Sequence, residues 1–195
     1  SNTFFQLLLL LFGTALMGAG ANTLNQCMEI GPDSRMNRTK NRALPMGKLS
    51  EKEAMVFGIL TSAAGFFVLW FGLNSLTAGL GLLTLISYTI VYTPLKQKTF
   101  TNTWFGGITG ALPPVMGWAA ARGQLDWEVL PIFALLYFWQ LPHFFAIAWM
   151  HKEDYKRGGF KMLSHYDQTG KRTATQMLIN CGMLYAASLA VFVFN

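Results

Sequence analysis

The sequence predicts an all-α membrane protein, a polytopic bundle with about six transmembrane helices. Only 12% of its 195 residues are charged, whereas a soluble domain has about a quarter. The apolar residues gather into long runs, each close to the ~20 residues that a helix needs to cross a bilayer. The predicted spans cover residues 3–25, 54–73, 75–92, 103–121, 128–150 and 174–194.

The distribution of basic residues predicts how these spans are oriented. Of the 15 Lys and Arg, all but Arg122 lie in the segments 26–53, 93–102 and 151–173, and six spans place these segments on one side of the membrane. Basic loops mark the cytoplasmic side, or the matrix side in a mitochondrion. We therefore predict a multi-pass protein of the bacterial plasma (inner) membrane, with the mitochondrial inner membrane as the alternative. The net charge of +6 does not indicate a nucleic-acid partner, because it is confined to these loops.

The connections between spans predict helix–loop–helix units. The second and third spans are separated only by residues 72–75, which predicts a tight hairpin. Glycines recur within the spans, as at Gly13 and Gly20 in the first, and small residues let neighbouring helices approach closely.

The two ends of the sequence lie directly beside apolar runs. Ser1 enters such a run without a basic n-region, so this start is not a signal peptide. Asn195 follows another apolar run directly. We therefore expect residues 1–195 to form a single transmembrane domain that is truncated at both ends.

Polar residues recur at every fourth position where the first span ends: Asn25, Glu29, Asp33 and Asn37. Residues four apart share one face of a helix. Pro32 interrupts the helix, so we expect Asp33 on a distorted turn that still lies near Glu29. Mg²⁺ prefers carboxylate and amide oxygens and commonly completes its shell with substrate phosphates. Asn25, Glu29 and Asp33 are thus predicted catalytic metal ligands.

Basic residues crowd beside this ladder and predict an anionic substrate. Asn37, Arg38, Lys40 and Arg42 are candidates for binding a diphosphate, since the arginine fork matches phosphate oxygens. The alternative is an ordinary basic loop whose acids pair locally with its bases. The regular four-residue spacing favours the site, because a loop does not need it.

A second polar loop follows the fifth span. Glu153 and Asp154 are predicted ligands of a second metal ion, with Asp154 catalytic. Tyr155, Arg157 and Lys161 are predicted to bind the same diphosphate from its other side.

His143 lies inside the fifth predicted span, directly after Pro142. An ionisable residue inside a membrane is a functional candidate, so we predict substrate binding. The alternative is a neutral histidine that is hydrogen-bonded to a neighbouring helix.

The first motif resembles that of the UbiA superfamily of intramembrane prenyltransferases. Its asparagine, acids and basic residues are matched by Asn25, Glu29, Asp33, Asn37, Arg38, Arg42, Leu44 and Gly47. The finer resemblance is to the branch that farnesylates protohaem IX, in the stretches DSRMNRTKNRALPMGKLS, YTPLKQKTFTNTWFGGITGALPPVMGW, WQLPHFFAIAW and EDYKRGGFKML. Two positions depart from the superfamily: Glu29 replaces a common Asp, and Met150 stands where the second motif often begins with Asp.

This resemblance implies a nine-helix bundle, of which the chain covers about the second to the seventh helix. It implies Mg²⁺ as cofactor, with farnesyl diphosphate and haem b as substrates and haem O as product. It also raises a complex with other membrane proteins of haem biosynthesis. The alternatives are an aromatic or quinone-precursor acceptor, and a membrane transporter whose loops gather an anion.

Overall fold

The computed structural model describes residues 3–194, which are helical in most of their length and contain no strand. Ser1 and Asn195, the two ends discussed above, lie outside the described residues. The helices are α1 (Thr3–Met28), α2 (Ile30–Arg35), α3 (Glu51–Gly72), α4 (Ser75–Ile86), a π-helical turn (Ser87–Tyr92), α5 (Thr93–Lys98), α6 (Asn102–Gly110), α7 (Leu112–Arg122), α8 (Val129–Met150), α9 (Lys152–Gly158), α10 (Leu163–Tyr166) and α11 (Lys171–Phe194).

Five helical segments of the described chain are long and apolar enough to cross a membrane. They are Thr3–Met28, Glu51–Gly72, Ser75–Lys98, Val129–Met150 and Lys171–Val193. The all-α membrane bundle predicted from composition is thus confirmed, and five of the predicted spans correspond to these segments.

The structure differs at the fourth predicted span, residues 103–121. This stretch is broken at Ala111 into α6 and α7, of 9 and 11 residues. Pro113 and Pro114 have no backbone N–H to donate to the preceding turn, yet proline is well tolerated in the first turn of a helix. A new helix therefore begins at Leu112, and the sequence does not form one uninterrupted span here.

Helices α1 and α3 pack closely against each other through small residues on both. A Cβ atom added at Gly20 would lie 2.6 Å from the Gly58 carbonyl oxygen and would also meet the Ser62 hydroxyl. A Cβ at Gly65 would lie 2.6 Å from the Gly13 carbonyl oxygen. The predicted close approach at Gly13 and Gly20 is confirmed.

Side-chain caps fix the ends of the predicted hairpin between α3 and α4. The Glu53 N–H donates to Ser50 Oγ, and the Glu53 carboxylate accepts from the Ser50 N–H, so the start of α3 is capped reciprocally. At the start of α4, Asn74 Oδ1 accepts from the Thr77 N–H at 2.8 Å. Asn74 Nδ2 also donates to the Ala119 carbonyl, which ties the hairpin to α7.

The three basic segments meet at one end of the bundle. The Lys161 N–H donates to the Lys96 carbonyl at 2.7 Å, and Asn102 Nδ2 donates to the Lys161 carbonyl at 2.6 Å. Arg35 Nη2 donates to the Gly158 carbonyl at 3.1 Å. Loops far apart in sequence are thereby joined on a common face, as the charge distribution predicts.

We expect Gly20→Ala to destabilise the protein by about 1–3 kcal/mol, because the added methyl group would force α1 away from α3. Thermal unfolding of the purified protein in detergent measures this. The matched control is Gly79→Ala on α4, where nothing lies within 4 Å of the added atom. Equal midpoints for the two variants would contradict the close packing.

Candidate active site

A cavity of about 470 Å³ lies between α1, α6, α8 and the π-helical turn, beneath the joined loops. Its wall is charged and polar where it meets the loops, with Asn25, Glu29, Asp33, Arg38, Arg42, Lys96 and Tyr155. Farther along the helices the wall is formed by small and apolar residues, with Gly18, Ala21, Gly106, Gly110, Pro113, Phe144 and Ile147. The cavity therefore suits an elongated ligand with an anionic head and an apolar body.

The ladder from Asn25 to Asp33 stays in register across the end of α1. Glu29 interrupts the helix at φ −110° and ψ 13°, yet its N–H still donates to the Asn25 carbonyl, and the Asp33 N–H donates to the Glu29 carbonyl. Asp33 lies in the short helix α2, where we expected a distorted turn. Pro32 is accommodated because it falls in the first turn of that helix.

Both ladder acids are buried and paired with cations. Glu29 is 3% exposed, and its Oε1 lies 2.7 Å from Lys96 Nζ. Asp33 is 2% exposed, and its Oδ2 accepts from Arg42 Nη1 at 2.7 Å. Burial raises the pKa of Glu29, and the Lys96 ammonium offsets part of that effect. Asn25 is held in place because its Nδ2 donates to Thr93 Oγ1 at 2.8 Å.

Lys96 is a charged residue of the cavity wall that the sequence analysis did not single out. Its side chain is nearly buried, and its Nζ lies 4.9 Å from the centroid of the Tyr92 ring and 5.6 Å from that of Phe160. An available signal was its position at the end of an apolar run, since an ionisable residue there is a functional candidate.

Asp154 joins the second polar loop to the first. Its Oδ1 accepts from the Asn37 N–H at 2.7 Å and from Arg157 Nη2 at 2.6 Å, and its Oδ2 accepts from the Arg38 N–H at 3.2 Å. Burial alone would raise the pKa of Asp154, but these donors outweigh it and hold the pKa below its ordinary value. Next to it, the Tyr155 hydroxyl accepts from Arg38 Nη2 at 3.3 Å.

Comparison with known proteins assigns this arrangement to a family. The model of the UbiA prenyltransferase family matches residues 1–195. The chain belongs to the UbiA prenyltransferase family. This UbiA chain is 48% identical over 174 residues to the protoheme IX farnesyltransferase of Solibacter usitatus, covering 89% of the chain and 60% of that protein.

A second relative and a solved structure are also similar to the chain. The mitochondrial protoheme IX farnesyltransferase of Arabidopsis thaliana is 47% identical over 169 residues, covering 87% of the UbiA chain and 39% of that protein. The UbiA chain therefore spans 60% or less of these two relatives. A solved structure of a UbiA homolog from Archaeoglobus fulgidus, bound to DMAPP and Mg²⁺, superposes with a TM-score of 0.77 at 16% identity. The superposition covers 97% of the UbiA chain and 67% of the Archaeoglobus fulgidus chain. This likeness confirms the fold.

Several residues predicted for the site lie away from the cavity wall of the UbiA chain. The side chains of Lys40, Glu153 and Lys161 are exposed and are not among the described residues that line it. His143 is exposed as well, and its ring stacks on Trp139 with 5.6 Å between ring centroids. Asn37, Asp154 and Arg157 line a neighbouring surface pocket instead. The structure therefore brings Asn25, Glu29 and Asp33 together with cations but leaves these seven residues off the cavity wall.

Polar residues deeper in the cavity were also not predicted. Tyr88 and Tyr92 lie on the π-helical turn and line the wall, and a Cβ at Gly106 would lie 2.7 Å from the Tyr92 ring. Gln140 is buried there, and its Nε2 donates to the Leu136 carbonyl of its own helix. The positions of Tyr88 and Tyr92 depend on the π-helical turn, which the hydrophobic pattern does not reveal.

We expect the buried pair of Glu29 and Lys96 to be strongly coupled. Glu29→Gln or Lys96→Met alone should each destabilise the UbiA chain by about 3–5 kcal/mol, because each leaves one buried charge without its partner. The double variant should be more stable than either single one. Thermal unfolding of all four proteins measures the coupling, and additive losses would show that the two side chains act independently.

Proposed function

We propose that this chain forms the catalytic core of an intramembrane prenyltransferase. It transfers the farnesyl group of farnesyl diphosphate to a vinyl group of haem b (protohaem IX) and gives haem O. One observation carries the proposal: two buried acids, with cations beside them, line the loop end of a cavity whose remaining wall is small and apolar. The choice of haem b and farnesyl is supported by the relatives named protoheme IX farnesyltransferase.

The residues present fit Mg²⁺ as the cofactor. Asn25, Glu29 and Asp33 offer hard oxygen donors on one cavity wall. Among residues 3–194, no group of three His, Cys, Asp or Glu side chains could hold a metal. Glu29 and Asp33 supply two carboxylates, and Mg²⁺ is commonly held by one or two, with substrate phosphates and water completing its shell. When bound, it would neutralise charge that develops on the departing diphosphate.

The cations of the site would hold the diphosphate in place. Lys96, Arg42 and Arg38 all line the cavity, and the first two are already fixed by the acids. Positive groups that are positioned in advance stabilise developing negative charge without reorganising during the reaction. Arginine adds a fork that matches phosphate oxygens.

The apolar wall would bind the farnesyl chain and keep water away from the reacting carbon. Phe144 and Ile147 line this part, and Gly106 and Gly110 leave room for the chain. As the bond from carbon to diphosphate oxygen breaks, its electron pair leaves with the diphosphate. The vinyl π electrons of haem b form the new carbon–carbon bond, and water adds to the resulting cation with loss of a proton. The ring faces of Tyr88, Tyr92 and Tyr155 would stabilise the allylic cation before transfer.

The described helices fit a multi-pass membrane protein. We propose the bacterial plasma membrane, with the site on the cytoplasmic face, because the basic segments meet at that end of the bundle. A complex with other membrane proteins of haem biosynthesis stays a prediction. The clustering of charge at one end argues against a transporter, whose site usually lies near the bilayer midplane.

Asp33→Asn is expected to lower turnover by at least about a hundredfold, because the substitution removes a carboxylate charge that both serves the site and pairs with Arg42. To measure turnover, the protein is incubated with haem b, farnesyl diphosphate and Mg²⁺, and the product is identified by its mass. Asp126→Asn is the matched control, since Asp126 accepts from Trp118 and Gln124 away from the cavity.

Full activity of Asp33→Asn with Mg²⁺ present would exclude the metal assignment. The same assay tests the acceptor when an aromatic acid replaces haem b. Farnesylation of the aromatic acid, with haem b left unmodified, would overturn the choice of acceptor while keeping prenyl transfer.

A further inference from the structure

We infer that Asp154 is a positioning residue that holds Arg38 at the cavity, and that the site binds a single divalent metal ion at Asn25, Glu29 and Asp33. This inference rests on the proposed function. It departs from the expectation that Glu153 and Asp154 hold a second metal ion.

The oxygens of Asp154 are already occupied by donors. Three groups donate to them. Two are the backbone N–H groups of Asn37 and Arg38, at 2.7 Å and 3.2 Å, and the third is Arg157 Nη2 at 2.6 Å. A Mg²⁺ ion would have to lie about 2.0–2.1 Å from a carboxylate oxygen. It would then face these N–H groups, whose positive ends repel a cation. The backbone donors cannot withdraw unless the loop moves, so this carboxylate is a poor metal ligand.

Among the described residues, only Glu153 accompanies Asp154 as an acid in its surface pocket. The residue one helical turn earlier is Met150, whose side chain is 72% exposed. Glu153 is exposed and adjacent in sequence, and adjacent residues of a helix do not share a face. Tyr155 lines the 470 Å³ cavity, whereas Asp154 lines a neighbouring surface pocket with Glu153, Asn37 and Arg157. Arg38 lines both. Asp154 is therefore not among the described residues that line the space proposed for the diphosphate.

Both ends of Arg38 are held by consecutive residues of α9. Its backbone N–H donates to Asp154, and its guanidinium donates to the Tyr155 hydroxyl and lies 5.8 Å from the centroid of that ring. Arg38 lines the cavity in this position. Asp154 thus acts on the diphosphate through Arg38.

The loops have a second attachment that is independent of Asp154. Arg35 Nη2 donates to the Gly158 carbonyl, and Met36 packs in a buried cluster with Phe160 and Met162. An Asp154 variant should therefore fold with its loops still joined, and lose mainly the orientation of Arg38.

The test counts metal ions and compares kinetic constants. Mn²⁺ is titrated into the protein with farnesyl thiodiphosphate, an analogue that resists cleavage, and bound ions are counted by electron paramagnetic resonance. We expect one ion per chain in the wild type and one in Asp154→Asn. In the variant, KM for farnesyl diphosphate should rise about tenfold, as for a lost charge-assisted hydrogen bond, while kcat stays within about twofold. On an Arg38→Ala background, Asp154→Asn should not raise KM further, because it acts through that arginine.

Asp167→Asn is the matched control, because Asp167 also accepts backbone N–H groups, from Gly170 and Thr173. It should leave the ion count and KM unchanged. Two ions in the wild type and one in Asp154→Asn would make Asp154 a ligand and overturn the inference, while the proposed function would stand. An unchanged KM in Asp154→Asn would overturn its positioning role. No bound ion in the wild type would contradict the metal site of the proposed function itself, and the inference with it.

Discussion

Glu29 and Asp33 place two carboxylates in the wall of a cavity that is largely apolar beyond them. The positions of the neighbouring charged residues follow from the free-energy cost of burying these two charges. Removing a charge from water is unfavourable by several kcal/mol unless a partner and hydrogen bonds replace the water. Lys96 and Arg42 supply those partners at 2.7 Å each. Since buried ion pairs contribute little net stability, their position is better explained by the anionic ligand and the metal ion that we propose for this cavity.

Breaks in helical regularity bring these charges together. The interruption at Glu29 turns Asp33 toward the cavity, and the π-helical turn before Thr93 places Tyr88 and Tyr92 on the wall. The break at Ala111 separates two short helices whose glycines and proline line the apolar part. Proline and π-helical turns remove or shift backbone hydrogen bonds at a local cost. In this chain, those irregular positions border the proposed site.

The two polar loops hold each other in position through hydrogen bonds between residues far apart in sequence. Asp154 is far from Arg38 in sequence, and it fixes that residue only because α9 packs against the segment after α2. The close packing of α1 against α3 orients the ladder below them. A change at this helix interface could therefore alter the charged end of the cavity without touching any residue of it.

The sequence by itself determined the all-α membrane class, the tight hairpin and the gathering of basic segments at one end, because the length of apolar runs and the distribution of charge can be read directly along the chain. It also indicated that Asn25, Glu29 and Asp33 would lie together, since residues four apart share a helix face.

Tertiary structure alone decided which cation meets each acid and that Lys96 belongs to the site. It also decided that Glu153 and His143 are exposed and off the cavity wall, and that the Asp154 carboxylate accepts backbone N–H groups. Those outcomes depend on how helices distant in sequence pack, and on where proline and the π-helical turn rotate them. No spacing rule along the chain contains that information.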